Sequence, residues 1–430
     1  MPNKKIIYGF LLLAIIITQL ALTQFVAIAK GTDGVLYDGI AKAILNLNGT
    51  IDQPGLRGHG HDIGAIVMPG YSALIALIYA VFGVHFEAFI IFQILLGVAS
   101  CFVFYQVVKD RFNFWIALGA TLWVIGYIEI WRYNLQFYMD SLSAAMVIFI
   151  VYFLHWYFKT LRNKHLYIFA LTGGLLIAVN NRFIMHIGLI GLYFLYLSLR
   201  DTRVQFKKLL VVAGIIVLIL LPWHIRQYLH YDQIMLFSPT RSVQAQGGKE
   251  REPGQFPSYE EQYERLASGY AAFGSPDNYL HLFTPEKYAA MKENYDAFDG
   301  FQKYWSRAKG FFEIIRTDFR FGFGGDTRIT PPNIQGKLVI LHTLFNVVFL
   351  GSMFILLLPG IFFAFKRNQP FFISLVLLLA AHVILHTIVH LDPWLRYRVP
   401  IVPVIFMLGW YGVQNLVNLL PGNKFEFLKH

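Results

Sequence analysis

Two aspartates stand at the edges of long apolar segments, where a carboxylate can do chemistry. Asp33 follows the first apolar segment of the chain, and Asp140 opens a later one within the sequence QFYMDSLSAAM. Such an acid can be a solvated anchor charge, and at Asp140 it can stabilise the start of a helix. Two carboxylates facing one cavity can instead act as a general base and its partner. Asp33 and Asp140 are therefore the candidate catalytic residues.

Residues with helical spacing follow Asp33. Tyr37, Asp38, Ala41 and Leu45 recur at intervals of one to four residues in GTDGVLYDGIAKAIL. This pattern predicts a short amphipathic helix along the membrane surface. The helix would present Tyr37 and Asp38 as candidate substrate contacts near Asp33.

Four arginines are candidate ligands for an anion. Each lies near the end of an apolar segment, and they are Arg182, Arg226, Arg396 and Arg398. Arginine at such a place can simply anchor a helix at the interface. It is also the side chain best suited to bidentate phosphate recognition. Four of them on one predicted face favour an anionic ligand there.

Histidines form a second group of candidates. His59 and His61 lie in the glycine-rich segment RGHGHD, and His85 precedes another apolar segment. The histidine spacing matches no strong metal motif, so a flexible surface loop or contacts to phosphate or sugar hydroxyls are the better interpretations. We predict no metal and no required cofactor.

The composition indicates a protein that spans a membrane several times. Of 430 residues, 56% are hydrophobic and only 14% are charged, and the mean hydropathy is +0.52. Soluble proteins carry about 25% charged residues. The net charge of +11 raises the question of nucleic acid, but its distribution fits membrane orientation better. The sequence has no nucleotide-binding motif, and Cys101 is its single cysteine.

Ten apolar segments predict an all-α architecture of about ten transmembrane helices. They are Ile6–Ala29, Phe86–Val108, Phe112–Ile130, Ser141–Phe158, Leu166–Val179, Phe183–Leu199, Leu209–Trp223, Leu338–Phe365, Phe371–Val389 and Val399–Leu420. The fifth is short for a membrane span, which suggests tilting or a break at Asn180–Asn181.

The distribution of charged residues indicates whether an eleventh apolar segment, Ile63–Gly83, crosses the membrane. With ten spans, the segments on the same side of the membrane as the N-terminus carry 15 Lys and Arg against three Asp and Glu. The loop 227–336, on the other side, carries 12 Lys and Arg and 14 Asp and Glu. This is the positive-inside pattern, with both termini cytoplasmic. An extra crossing would invert it, so we predict that Met68–Phe82 is an interfacial or re-entrant helix covered by protein.

This topology predicts three regions. Residues 1–226 form an N-terminal transmembrane catalytic module, whose first external loop (30–85) carries the interfacial helices. Residues 227–336 form a mostly helical external domain, with helices at Tyr259–Tyr270, Pro285–Ala297 and Phe301–Phe319. Residues 337–430 are the C-terminal transmembrane helices.

The order of short motifs resembles the GT-C superfamily of integral-membrane glycosyltransferases, in particular the protein O-mannosyltransferase and aminoarabinose-transferase-like branch. The motifs are Asp33-x3-Tyr37-x3-Ala41, Pro69-Gly70-Tyr71, Asp140 at the start of a span, Leu221–Arg226 (LPWHIR) and Arg396–Pro403 (RYRVPIVP).

The resemblance implies a polyprenyl-phosphate-linked sugar donor, an active site on the non-cytoplasmic face and Asp33 as general base. Asp140 matches the acidic residue of the second external loop. His85 stands where relatives have a basic residue, and Asp38 could supply the second carboxylate of an acidic pair.

We therefore predict a glycosyltransferase of a bacterial inner membrane, acting on a lipid, glycan or protein acceptor with inversion and without nucleic acid. A phosphate leaving group needs cations rather than protonation, which suits the four arginines. Two alternatives stay open: a ligase or polymerase that moves oligosaccharide from a diphosphate lipid, and a lipid-linked substrate transporter or flippase. Against the transporter, the sequence shows no inverted repeat.

Overall fold

The structure is a computed structural model. It describes residues 4–23, 28, 32–46, 68–200, 204–231, 258–260, 285–286, 289, 346–388 and 395–419. Within these ranges the secondary structure is helical, without a β-strand.

Thirteen α-helices make up the part of the chain that the structure describes. They are α1 (Lys4–Thr23), α2 (Thr32–Leu45), α3 (Gly70–Phe82), α4 (Phe86–Arg111), α5 (Phe114–Gly126), α6 (Ile128–Asn134), α7 (Met139–Thr160), α8 (Asn163–Val179), α9 (Ile184–Arg200), α10 (Phe206–Tyr231), α11 (Ser352–Lys366), α12 (Pro370–Ile388) and α13 (Val402–Val417). Short 3-10 turns cover Asn181–Phe183 and Leu395–Ile401, and a π-helical segment covers Asn346–Gly351.

Six of the described helical segments are long and apolar enough to cross a membrane. They are Lys5–Thr23, Phe86–Arg111, Met139–Thr160, Asn181–Arg200, Phe206–Arg226 and Arg398–Val417. A seventh arises if α5 and α6, which meet at 51°, form one broken span. Helices α3, α8 and α11, and the part of α12 from Pro370 to Leu385, are apolar but shorter. Each of the ten predicted segments contains a helix, but the count of about ten crossings is not confirmed.

Helices α4 and α7 run parallel through the core. At their starts, the ring of Phe89 lies 5.1 Å from that of Phe137, which precedes α7. At their ends, Arg111 Nε donates to His155 Nδ1 at 2.7 Å. The molecule therefore has two ends: we call the end near residue 140 the Asp140 end and the other the Arg111 end. Because α7 has 22 residues, they lie about 33 Å apart.

Helix α3 stays at the Asp140 end, as the charge parity of the sequence predicts. It has 13 residues, so it is about 20 Å long and shorter than the roughly 30 Å apolar core of a bilayer. Its first turn contacts α4 through Tyr71 and α8 through Gly70, while its last turn leads directly into α4. Its buried face includes Tyr71, Ile75 and Tyr79, while Leu77 and Val81 are exposed.

One boundary differs from the predictions. Helix α10 continues through Pro222 to Tyr231, so residues 227–231 belong to this helix rather than to the external loop. A proline inside an apolar helix is tolerated where neighbouring groups satisfy the freed carbonyl.

The three helices predicted between Tyr259 and Phe319 lie almost wholly outside the described residues. The predicted break after α8 is confirmed: Asn180 is extended, and a 3-10 turn follows it.

Candidate active site

The helix that carries Asp33 packs against the turn that leads into α7. Asp33 is the second residue of α2, and its side chain lies outside the described part of the structure. A Cβ atom on Gly34 would lie only 2.5 Å from the Cβ of Phe137, so the backbone of α2 touches this turn directly. Asp140 follows three residues later. The structure thus brings the helix starts of both predicted catalytic acids to one end of the molecule.

Asp140 is buried in the first turn of α7. The residue before the helix is Tyr138, whose side chain makes no capping bond, so Asp140 is not the N-cap that one interpretation of the sequence suggested. A carboxylate in the first helical turn still faces the favourable end of the helix dipole. Its exposure is only 2%. Burial of a carboxyl at such a position is costly unless polar groups lie near it, and the Tyr71 hydroxyl lies near enough to interact with it electrostatically.

The Tyr71 hydroxyl begins a chain of buried hydrogen bonds. Its hydroxyl donates to Gln93 Oε1 at 2.9 Å, and Gln93 Nε2 donates to the carbonyl oxygen of Gln136 at 3.0 Å. The chain of bonds therefore links α3 and α4 to the turn before Asp140. Burial, with smaller contributions from Tyr37 and Asp140, raises the pKa of the Tyr71 hydroxyl. The hydroxyl is therefore a donor at neutral pH.

Tyr37 and Asp38 hold α2 against α3. The Tyr37 ring packs edge-on against Tyr71, with ring centroids 4.9 Å apart. Asp38 is buried, and its carboxylate accepts from the Tyr79 hydroxyl at 2.5 Å and from Lys42 Nζ at 2.9 Å. Both residues were predicted to contact substrate. That role stays a prediction, and the structure adds a positioning role for each.

Arg182 lies half-buried in the 3-10 turn after α8, at the same end. Its backbone N–H donates to Asn180 Oδ1 at 3.4 Å, and Asn180 Nδ2 donates to Ser143 Oγ, in the first turn of α7, at 3.3 Å. His186 Nδ1 lies 3.2 Å from the carbonyl oxygen of Arg182. Since a carbonyl only accepts, Nδ1 carries the proton.

His186 also joins α9 to α12. Its Nε2 lies 2.9 Å from Nδ1 of His382, and both rings are buried. With the His186 proton on Nδ1, Nε2 is the acceptor and His382 Nδ1 is the donor. The pair fixes the backbone of Arg182 to two helices.

The remaining predicted residues are distributed differently. Arg398 is buried in the Leu395–Ile401 turn, with its guanidinium 5.8 Å from the centre of the Phe354 ring in the first turn of α11. Arg226 is half-buried in the last turns of α10. His85 is exposed at the junction of α3 and α4. The side chain of Arg396, and all of His59 and His61, lie outside the described residues.

Helix α6 contains a buried ion pair to which the sequence motifs assigned no role. Arg132 Nη1 lies 3.2 Å from Glu129 Oε2, and both side chains are buried. Helix α6 packs against α1, α4, α7 and the Leu395–Ile401 turn, so the pair lies among the elements that carry Asp140 and Arg398. The sequence feature that could have predicted this pair is an acidic and a basic residue three positions apart in an apolar helix. Elsewhere in the described residues, no three acidic, histidine or cysteine side chains form a group suited to a metal.

Part of the chain matches a known protein family. Residues 67–225, which contain α3 to α9 and most of α10, match the family model of dolichyl-phosphate-mannose-protein mannosyltransferases. A comparison with curated protein sequences gave no match.

The fold is similar to that of a solved oligosaccharyltransferase. The apo structure of the Archaeoglobus fulgidus oligosaccharyltransferase superposes with a TM-score of 0.51 at 14% identity, covering 95% of this chain and 50% of that one. The complex of the same enzyme with Zn and sulfate gives 0.48 at 15% identity, with 94% and 49% covered. The chain therefore spans about half the length of that enzyme. The family match covers residues 67–225, less than half of the chain, and the similarity to the solved structure concerns the fold.

Proposed function

We propose that this protein transfers a sugar from a polyprenyl-phosphate-linked donor to an acceptor hydroxyl on the non-cytoplasmic side of the membrane. The observation that carries the proposal is the contact between Gly34 and Phe137, which places the start of α2 beside the start of α7. Asp33 and Asp140 belong to these two helix starts. A site that uses a carboxylate on an acceptor hydroxyl needs this kind of convergence.

In the proposed reaction, Asp33 accepts the proton of the acceptor hydroxyl. The hydroxyl oxygen attacks the anomeric carbon, the bond from that carbon to the donor phosphate breaks, and the polyprenyl phosphate leaves with the bonding electrons. A single displacement inverts the anomeric centre. The leaving phosphate gains negative charge, which cations in a site of low dielectric stabilise strongly. We assign that role to Arg182, Arg226, Arg396 or Arg398.

Asp140 has a different environment and a different role in this proposal. It is buried near the Tyr71 hydroxyl, whereas a base must reach an acceptor that arrives from outside the membrane. We propose that Asp140 orients the sugar hydroxyls of the donor while Asp33 is the base. The scheme uses no metal.

The test is transfer by the purified protein in proteoliposomes, with a labelled polyprenyl-phosphate sugar as donor. We expect Asp33→Asn to fold and to lose about 100-fold or more of the rate, the range typical of a general base. Glu87→Gln is the control, because Glu87 is an exposed carboxyl at the start of α4, at the same end. An active Asp33→Asn protein would remove Asp33 as the base.

The donor in this assay also separates the alternatives. Product formed only from a diphosphate-linked oligosaccharide would identify a ligase or polymerase. Movement of the lipid-linked sugar across the bilayer without any product would identify a transporter or flippase.

A further inference from the structure

A cavity lies at the Arg111 end, away from the proposed active site. Its volume is about 280 Å³, and its lining comes from the last turns of α4 and α7 and from the start of α12. The lining residues are Arg111, Phe158, Leu161, Gln369, Pro370 and Phe371. It is slightly smaller than the roughly 300 Å³ at which sites for drug-sized ligands begin. It therefore suits a headgroup rather than a whole substrate.

Arg111 is held in one orientation at the wall of this cavity. Its Nε donates to His155 Nδ1 at 2.7 Å, and its guanidinium lies 4.5 Å from the centre of the Phe371 ring. The terminal amino groups of a guanidinium so fixed are the ones that bind a phosphate with two parallel bonds. An arginine whose orientation is set in advance loses little entropy on binding.

The charge of Arg111 is available to a ligand because the nearby carboxylate is shared by other groups. Asp110 pairs with Lys159 and with His155 Nε2, which lies 2.9 Å from its Oδ2. Since His155 Nδ1 accepts from Arg111, the ring proton lies on Nε2, the nitrogen nearer to Asp110. Arg111 itself makes no ion pair with a carboxylate in the described ranges of the chain. The group of four side chains thus keeps a net positive charge.

Further basic residues flank the cavity. Arg162 follows the lining residue Leu161, and Lys366 and Arg367 precede Gln369. The turns that carry these residues have unusual backbone conformations: φ is 52° at Leu161 and 46° at Asn368. Left-handed conformations at non-glycine residues cost about 1–3 kcal/mol and cluster at ligand sites.

The lining also has an apolar part, which narrows the class of ligand. Phe158, Leu161, Pro370 and Phe371 offer apolar surface beside the single guanidinium, and Leu161 is 44% exposed. Inorganic phosphate would use only the guanidinium. A phosphate ester on a hydrocarbon chain would use both parts.

We propose that this cavity binds the phosphate headgroup of an anionic phospholipid from the adjacent leaflet. Basic pockets between transmembrane helices on the cytoplasmic side are known to hold such headgroups, and the positive-inside pattern of the sequence places the Arg111 end there. The site is separate from the proposed transfer site and does not depend on it.

The test measures lipid binding to delipidated protein by native mass spectrometry and by thermal unfolding in detergent. Phosphatidylglycerol should bind and raise the unfolding temperature, while phosphatidylcholine and inorganic phosphate should have at most a small effect. Arg111→Gln should lower the affinity for phosphatidylglycerol at least 10-fold. Arg200→Gln is the control, because Arg200 is a basic residue at the same end but outside the cavity.

A second variant keeps the proposal testable if Arg111→Gln fails to fold. Leu161 is exposed and left-handed, and aspartate tolerates that conformation better than leucine, so Leu161→Asp should fold. Its carboxylate at the rim should repel the headgroup and lower the affinity to a similar degree. Unchanged binding of phosphatidylglycerol by Leu161→Asp and by any folded Arg111→Gln protein would overturn the proposal. Equal binding of phosphatidylcholine, or binding of inorganic phosphate alone, would overturn it too.

Discussion

The hydroxyl of Tyr79 lies 2.5 Å from Oδ1 of Asp38. This buried hydrogen bond joins α3 to α2, the helix whose second residue is Asp33. Burial and the bond to Asp38 raise the pKa of the Tyr79 hydroxyl well above its usual value, so it stays protonated and donates. Asp38 also forms an ion pair with Lys42, whose side chain is more exposed than that of Asp38. This bond between α2 and α3 therefore helps to hold the helix that carries the proposed base.

Tyr79→Phe should loosen α2 without removing any proposed catalytic group. The loss of a hydrogen bond to a buried carboxylate costs about 1.5–3 kcal/mol. We expect a lower unfolding temperature, faster hydrogen exchange in α2 and a reduced rate of sugar transfer. Tyr228→Phe, at an exposed tyrosine of α10, should change none of these. Unaltered exchange in α2 of Tyr79→Phe would show that the bond does not position the helix.

Gly34→Ala should push α2 away from the turn before α7. The added Cβ would meet Phe137 at 2.5 Å, a distance that side chains do not adopt, so one of the two segments must move. Within a helix, alanine in place of glycine otherwise stabilises by about 0.5–1 kcal/mol. The control is Gly9→Ala in α1, where nothing lies within 4 Å of the new Cβ. We expect Gly34→Ala to lose most of its transfer activity and Gly9→Ala to keep it; equal activities would contradict the packing of α2 on Phe137.

The bonds through Tyr71 and Gln93 should behave as one unit. Gln93→Leu leaves the Tyr71 hydroxyl and the Gln136 carbonyl without this partner, and each buried polar group so treated costs about 1–3 kcal/mol. Tyr71→Phe removes only the first bond. In a double-mutant cycle on unfolding free energy, we expect a coupling of about 1 kcal/mol between the two positions. Additive effects would mean that the bonds stabilise the turn independently.

The His186–His382 pair should control the turn that carries Arg182. His186→Phe keeps the ring volume but removes both hydrogen bonds. We expect a weaker apparent affinity for the lipid-linked donor, seen as a raised KM, with a smaller change in kcat. His165→Phe, in the first turn of α8 at the Arg111 end, is the matched control. A change in kcat alone would argue that the pair does not act through Arg182.

Periodicity and charge were enough to predict an all-helical membrane protein, while the number of membrane crossings stays a prediction. The spacing of Tyr37, Asp38 and Ala41 predicts α2, and these three side chains are buried as one face of it. The distribution of Lys and Arg predicts that α3 remains at one end of the molecule, in agreement with its contacts. Both signals are local or cumulative along the chain, which is why they can be read without knowledge of tertiary contacts.

The sequence did not predict which polar residues meet. Tyr71 and Gln93 are 22 positions apart, and His186 and His382 are 196 apart. A single tyrosine, glutamine or histidine in an apolar helix has many possible partners, and only packing selects one. Asp38 shows both outcomes: the sequence predicted its place in α2 but not its hydrogen bond to Tyr79.

The central claim is that a lipid-linked phosphate binds at the Asp140 end within reach of Asp33. The most direct measurement is a structure of the protein with a polyprenyl phosphate. We expect phosphate density near Arg182, Arg226, Arg396 or Arg398, with space for a sugar between the phosphate and Asp33. Phosphate density only beside Arg111, or no bound polyprenyl phosphate at saturating concentration, would contradict the glycosyltransferase assignment of this end and favour a transporter.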